Sequence, residues 1–399
     1  MTTLPTKRIE SIDVLRGIVM VIMTLDHARD FFHISANVDS PLNLATTTPV
    51  LYFTRWITHF CAPIFVLLSG TSIYLQSLRK SRKELVDFLM KRGIWLIIAE
   101  CVIVTFAMTF NPFFNVIQLQ VIWTIGISMV ILSLLIRFGV SFKLLLTLGL
   151  IIILGHNLLD FMEAALNFKT NFWWDLIHHG RFTFYQITDN YSILIAYPFL
   201  PWTGLMLVGY CLGKLFTIEY TSEQRKKTMI GLGSGLLILF VTLRFINVYG
   251  DPVQWTAQRS DFYTFLSFIN INKYPPSLFF ISVTIGVALI ALAYLENIKN
   301  TFTDKMIIFG KTAFFYYILH FTIIHLLSAI TFLARGHSFA DAGDVGEFFP
   351  FWFLASGEGY NLWVVYSVWI FVVVSLFPVC KWYDQYKTNH KEKWWLSYL

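Results

Sequence analysis

The sequence predicts an all-α, polytopic membrane protein, a bundle of about ten transmembrane helices with both termini on the cytoplasmic side. Three observations carry that reading. Of 399 residues, 56% are hydrophobic and only 14% charged, a balance foreign to soluble domains. Apolar runs long enough to cross ~30 Å of hydrocarbon recur near residues 12–32, 51–77, 89–110, 117–137, 142–159, 193–216, 228–247, 277–297, 307–333 and 360–381. With the N-terminus inside, 22 of the 30 Lys and Arg fall on cytoplasmic ends and loops and 8 on the outer side, the positive-inside bias. That bias also accounts for the net charge of +6 without a nucleic-acid partner.

In order along the chain, the first run follows the polar segment MTTLPTKRIES and continues into Asp26-His27-Ala28-Arg29-Asp30. It lacks a small-residue cleavage site and reads as a retained span. The second contains Pro63, which frees a backbone carbonyl and predicts a kink, and Ser69-Gly70-Thr71-Ser72, a helix-packing face. The third holds Glu100, read as a hydrogen-bonded buried acid, with a proton relay as the alternative. The eighth begins with Lys273-Tyr274-Pro275-Pro276-Ser277, with proline expected in the first helical turn. In the ninth, His320 shares a face with Tyr316 and Tyr317, whereas His325 points elsewhere, so the two cannot chelate one metal. The four cysteines lie within or at the ends of spans with no CxxC; neither a disulfide nor a metal cluster is expected. Outer loops near 33–50, 160–192, 248–276 and 334–359 are long and rich in Trp, Tyr, Asn, Asp and Gly, while the inner loops are short and basic. No loop offers a soluble domain, so residues 1–399 read as one transmembrane domain.

The first span carries Asp13, Arg16, Asp26, His27, Arg29 and Asp30. Ionisable groups in hydrocarbon are costly and normally face a bundle interior or a water-filled cavity. Asp13, Arg16, His27 and Asp30 share one helical face, and Asp13 and His27 stand roughly 21 Å apart along it. This predicts a continuous cavity lined by both Arg16 and His27. Arg55 and His59 are i,i+4 neighbours on the second span. They either join the His27 pocket or, alternatively, Arg55 snorkels to the headgroups and His59 is an interfacial histidine. Lys273 is either a substrate contact or an interface anchor, and His320 either lines the pocket or is held structurally by a tyrosine. No GxSxG, P-loop or GxGxxG occurs.

These residues form a pattern. Ser11-Ile-Asp13-Val-Leu-Arg16-Gly17 and Asp26-His27-Ala-Arg29-Asp30-Phe-Phe resemble the opening of bacterial members of the heparan-α-glucosaminide N-acetyltransferase family. The resemblance continues through Arg55-Trp-Ile-Thr-His59-Phe-Cys-Ala-Pro63, Trp123-Thr-Ile-Gly126, Tyr197-Pro-Phe-Leu-Pro201-Trp202-Thr-Gly204, Lys273-Tyr-Pro-Pro-Ser277, Phe315-Tyr-Tyr-Ile-Leu-His320 and Trp394-Trp-Leu-Ser-Tyr-Leu399. It implies a transmembrane acyltransferase of the bacterial cytoplasmic (inner) membrane, taking an acetyl group from cytoplasmic acetyl-CoA to a glycan-like acceptor on the far side. A histidine would serve as base or acyl carrier. The lysosomal member's catalytic histidine precedes a Trp-Asn-Gly motif in the outer loop after the first span. This chain has no such motif, so His27, His33 and His59 stand as alternatives.

On this reading Asp13 and Arg16 bind the coenzyme. His27 is the base, Asp26 or Asp30 orients it, and Arg55 or His59 stabilises the oxyanion. His59 is counted with the catalytic group, and Arg55, Lys273, Tyr274 and His320 with the acceptor contacts. The expected partners are membrane lipids, acyl-CoA and the acceptor, with room for a homo-oligomer and no metal. The competing reading is a transporter, in which the same intramembrane charges line a solute path. The paired broken helices that transporters often show are not evident in the sequence.

Overall fold

The structure, a computed structural model, describes residues 9–165, 170–343, 350–355 and 357–397. Lys7, Arg8 and Lys169 of the charge count, and the closing residues 398 and 399, lie outside them. Helices α1 (Glu10–Phe32), α2 (Pro49–Ser77) and α3 (Arg82–Thr109) come first, followed by strand β1 (Val116–Leu119). Next are α4 (Val121–Arg137), α5 (Phe142–Gly155), α6 (Leu158–Ala165) and α7 (Phe172–Ile177). Strands β2 (Thr183–Thr188) and β3 (Tyr191–Ile195) precede α8 (Phe199–Phe216), α9 (Ser222–Ile246) and α10 (Asp261–Ile269). The chain closes with α11 (Leu278–Leu295), α12 (Thr301–Lys311), α13 (Ala313–Ala334) and α14 (Leu362–Asn389).

Among the described residues, seven helices are long and apolar enough to cross a membrane, or eight if the bent pair α5–α6 is one span. The first run, α1, is a full-length helix that carries six charges, and α4 has 17 residues. The outward faces of α9 and α14 expose Ile238, Val241, Phe245, Ile370, Phe371 and Val374. An apolar surface of that extent suits lipid rather than water.

Helix α1 is the hub, packed against α2, α11, α12, α13 and α14. Its tightest partner is α12. A Cβ on Gly17 would stand 1.9 Å from the carbonyl oxygen of Met306, and one on Gly310 would stand 2.0 Å from that of Asp13. The two backbones touch because both contact positions lack side chains. Backbone cannot yield as a flexible side chain can. Gly17→Val is therefore expected to cost about 3 kcal/mol, read as a lower thermal midpoint in detergent; an unchanged midpoint would refute this packing. The Ser69–Ser72 run packs as expected: Thr71 donates to the Gly209 carbonyl at 3.0 Å, and α8 lies too close for a side chain at Gly70.

Four local features depart from the sequence reading. First, β1, β3 and β2 form a small sheet in that order, with β1 parallel and β2 antiparallel to β3. The runs near 117 and 193 thus open as strands, and their helices begin at Val121 and Phe199. Second, the span near 307–333 is broken at Thr312. Third, α11 starts at Leu278, capped by the Ser277 hydroxyl accepting from Phe280 N–H at 3.0 Å; Pro275 and Pro276 precede the helix rather than occupy its first turn. Fourth, α2 passes through a 3₁₀ turn at Ile57–Phe60 just before Pro63, a tightening of the helix beside the proline.

Glu100 sits in a wide π-turn of α3, fully buried. Its Oε2 accepts the Trp123 backbone N–H at 2.9 Å. Gln120 gives α4 no side-chain cap, so Glu100 supplies one from a neighbouring helix. This is the hydrogen-bonded acid the sequence reading favoured. All four cysteines are free.

Candidate functional site

Two cavities open toward opposite ends of α1. The inner one, about 350 Å³, is lined by Arg16, Ser72, Gln76, Arg92, Lys311, Lys387 and Tyr317, among others. The outer one, about 570 Å³, is lined by Asp26, His27, Arg29, Asp30, His33, Arg55, His59, Gln120, Arg181, Lys273, Tyr274 and Phe321, among others. The expected single cavity joining Arg16 to His27 is therefore two. The wall between them is thin. Gln120 faces the outer chamber and Val121 the inner. Tyr317 and Phe321, one turn apart on α13 with ring centroids 5.3 Å apart, line opposite sides.

Seven of the ten residues singled out by sequence, Asp26, His27, Asp30, Arg55, His59, Lys273 and Tyr274, line the outer cavity. His320 lies buried directly behind His27. Arg16 lines the inner cavity. Asp13 is buried behind Arg16 at 3.3 Å. Arg16 also donates to the Ser72 hydroxyl at 3.0 Å and the Gly310 carbonyl at 3.5 Å.

The His27 ring has a defined tautomer. His320 Nδ1 lies 3.0 Å from the Tyr316 carbonyl oxygen, which can only accept, so Nδ1 carries the proton. In the neutral ring Nε2 then accepts. It lies 2.7 Å from His27 Nδ1, which must donate. In a neutral His27 ring Nε2 is then left with its lone pair, on a ring stacked against Phe321 at 3.9 Å between centroids. His320 is not in the cavity lining: it is held by the backbone carbonyl of a tyrosine rather than its hydroxyl, and it bonds the pocket histidine from behind.

The carboxylates do not orient His27 as expected. Asp26 accepts from Arg29 at 2.8 Å and from Arg55, while Asp30 accepts from Arg29 at 2.6 Å. Neither bonds the His27 ring among the described residues. The reason is geometric: the i,i+3 approach brings Arg29 to Asp26, Arg55 meets its other oxygen, and His27 Nδ1 is already engaged by His320. Arg55 lines the same cavity and uses Nη1 for both Asp26 and the Thr58 hydroxyl, the latter at 3.0 Å.

His59 is 1% exposed, and neither ring nitrogen has a partner among the described residues. A buried polar group in that state costs free energy unless something in the cavity meets it. Lys273 is 8% exposed and lies over the Tyr274 ring at 5.1 Å. His33 caps the end of α1, its Nδ1 2.7 Å from the Ser35 hydroxyl. Burial, then the Arg29 guanidinium, holds its pKa below the usual imidazole value.

Sequence reasoning gave no role to Arg29, Arg181, Gln120 or Phe321 in the outer cavity, nor to Ser72, Arg92, Lys311 and Lys387 in the inner one. Arg29 was visible as the i+3 neighbour of Asp26; the others carry no local signal.

A family model described as heparan-alpha-glucosaminide N-acetyltransferase, catalytic, matches residues 8–243. The matched segment contains Asp13, Arg16, Asp26, His27, Asp30, Arg55 and His59, and stops short of Lys273, Tyr274 and His320. A comparison with curated proteins finds no match. The apolar helices and the matched segment, which spans more than half of the chain, describe an integral membrane protein of acetyltransferase type. The chain belongs to the heparan-alpha-glucosaminide N-acetyltransferase catalytic family.

Proposed function

We propose that this enzyme carries an acetyl group from cytoplasmic acetyl-CoA, bound at the inner cavity, to a hydroxyl or amine of a glycan-like acceptor in the outer cavity, within a bacterial cytoplasmic membrane and with both termini inside. The observation that carries the proposal is the His320–His27 chain, which presents an unprotonated Nε2 at the wall between two polar chambers. Such a nitrogen can take a proton from an acceptor or attack the thioester carbonyl itself. His59, which lines the outer cavity without a hydrogen-bond partner among the described residues, supplies a contact for the incoming acceptor. Arg16, Arg92, Lys311 and Lys387 give the inner chamber the positive character that a coenzyme's phosphates need. On this reading the thioester arm must pass between Tyr317 and Phe321, which separate the two cavities.

Transfer of label from radiolabelled acetyl-CoA to a soluble glucosamine-terminated saccharide, by purified protein, is the direct check; acetyl-CoA left intact across a panel of amine and hydroxyl acceptors would reject the reading. Arg16→Ala removes one charged hydrogen-bond donor from the coenzyme end. It is expected to raise KM for acetyl-CoA roughly tenfold, about 1.5 kcal/mol or more for a bond to a charged group, with kcat changed much less. An unaltered KM would place the coenzyme elsewhere.

A further inference from the structure

We propose that the outer end of the α5–α6 span is a site for one divalent cation of the zinc class, held by Asp160, Glu163 and His178. Donor atoms of these three side chains lie within 4.8 Å of one another. The site lies outside the His27 cavity, and nothing in the acetyl-transfer reading requires it.

The chain assembles the cluster from two directions. Helix α5 ends at Gly155 with His156 as its C-cap, α6 turns away from it by 41°, and Asp160 and Glu163 fall one turn apart on α6. The short helix α7 then returns His178 to the same place. His178 is fully buried, its Nδ1 3.1 Å from Glu163 Oε1. That separation is near the ~3.4 Å edge of a tetrahedron with metal bonds near 2.1 Å. A cation can enter between these two atoms with little movement, His178 binding through Nδ1 and keeping its proton on Nε2.

A second observation points to a ligand at the same place. Asp160 Oδ1, a member of the cluster, is buried without a hydrogen-bond partner among the described residues, although its other oxygen is held by Asn157 at 2.7 Å. His156, 3% exposed, backs His178 from the other side of its ring, Nδ1 to Nε2 at 3.4 Å. Two carboxylates thus converge on a buried imidazole: Glu163 pairs with His178 and His179, while Asp160 has no ion pair among the described residues. A cation between them would relieve the repulsion of the two carboxylates. Glu163 also accepts from Trp174 Nε1 at 2.7 Å and His179 Nδ1 at 2.7 Å, the outer hydrogen bonds that orient a ligating carboxylate. A mixed nitrogen and oxygen donor set favours zinc over calcium or magnesium, which prefer oxygen alone.

The test uses tag-free, full-length protein in detergent, stripped with chelator and titrated with zinc chloride against a competing chromophoric chelator. One zinc per chain is expected, with an X-ray absorption shell of nitrogen and oxygen at about 2.0–2.1 Å. His178→Ala and Glu163→Gln should each weaken binding by at least about tenfold. Should His178→Ala fail to give a monodisperse protein, Asp160→Asn and the wild-type absorption spectrum decide the matter. Absence of saturable binding by the wild type, a sulfur shell, or undiminished binding in the folded variants would overturn the proposal.

Discussion

Replacing His27 with alanine is expected to lower the turnover of acetyl transfer by at least about 100-fold, the contribution of a positioned general base, while acetyl-CoA binding and the folded state persist. The variant removes the one ring in the His27–His320 pair whose second nitrogen is unused. It leaves Arg16 and its ties to Asp13 and Ser72 untouched. Steady-state kinetics with labelled acetyl-CoA, together with a binding isotherm for the coenzyme, separate the two effects. Near-normal turnover in His27→Ala alongside loss in His59→Ala or His33→Ala would move the base to one of those residues.

The second large effect is on stability. Asp26 is 7% exposed and accepts from both Arg29 and Arg55. Asp26→Ala leaves two guanidiniums buried, with Asp30 bonded to only one of them. Stripping the shared partner from a buried ionic cluster costs about 3–5 kcal/mol. Thermal unfolding in detergent should show a large fall in midpoint and a loss of monodisperse protein at growth temperature. A midpoint within the range of an ordinary surface substitution, about 0.5 kcal/mol, would mean that the cluster is hydrated rather than buried.

The frame of the fold was legible because long apolar runs admit few alternatives in lipid. The charges of α1 were legible as a site for the same reason, and seven of the ten singled-out residues meet in one cavity. What the sequence hid was long-range pairing. The His27–His320 bond joins residues 293 positions apart, and no local period announces it. Asp26 looked like a partner for its neighbour His27, but successive helical residues point about 100° apart, and Arg29 and Arg55 reach the carboxylate instead. The division into two cavities depends on the packing of Tyr317 against Phe321, which spacing along one helix does not reveal. The hairpin of β2 and β3 did leave a trace. Thr-Phe-Tyr-Gln-Ile-Thr and Tyr-Ser-Ile-Leu-Ile flank Asp189-Asn190, two β-favouring runs around a two-residue turn. The hydrophobicity of the second run merged with that of α8 and concealed it.

The central claim is that the acetyl group passes between chambers on opposite sides of the membrane by way of His27. Proteoliposomes test it most directly, with the termini facing out, labelled acetyl-CoA supplied outside and a glucosamine-terminated saccharide enclosed. The account predicts labelled saccharide inside, coenzyme A retained outside, and no label inside with His27→Ala. Label appearing only when donor and acceptor share one side, or intact solute crossing without acetylation, would contradict it.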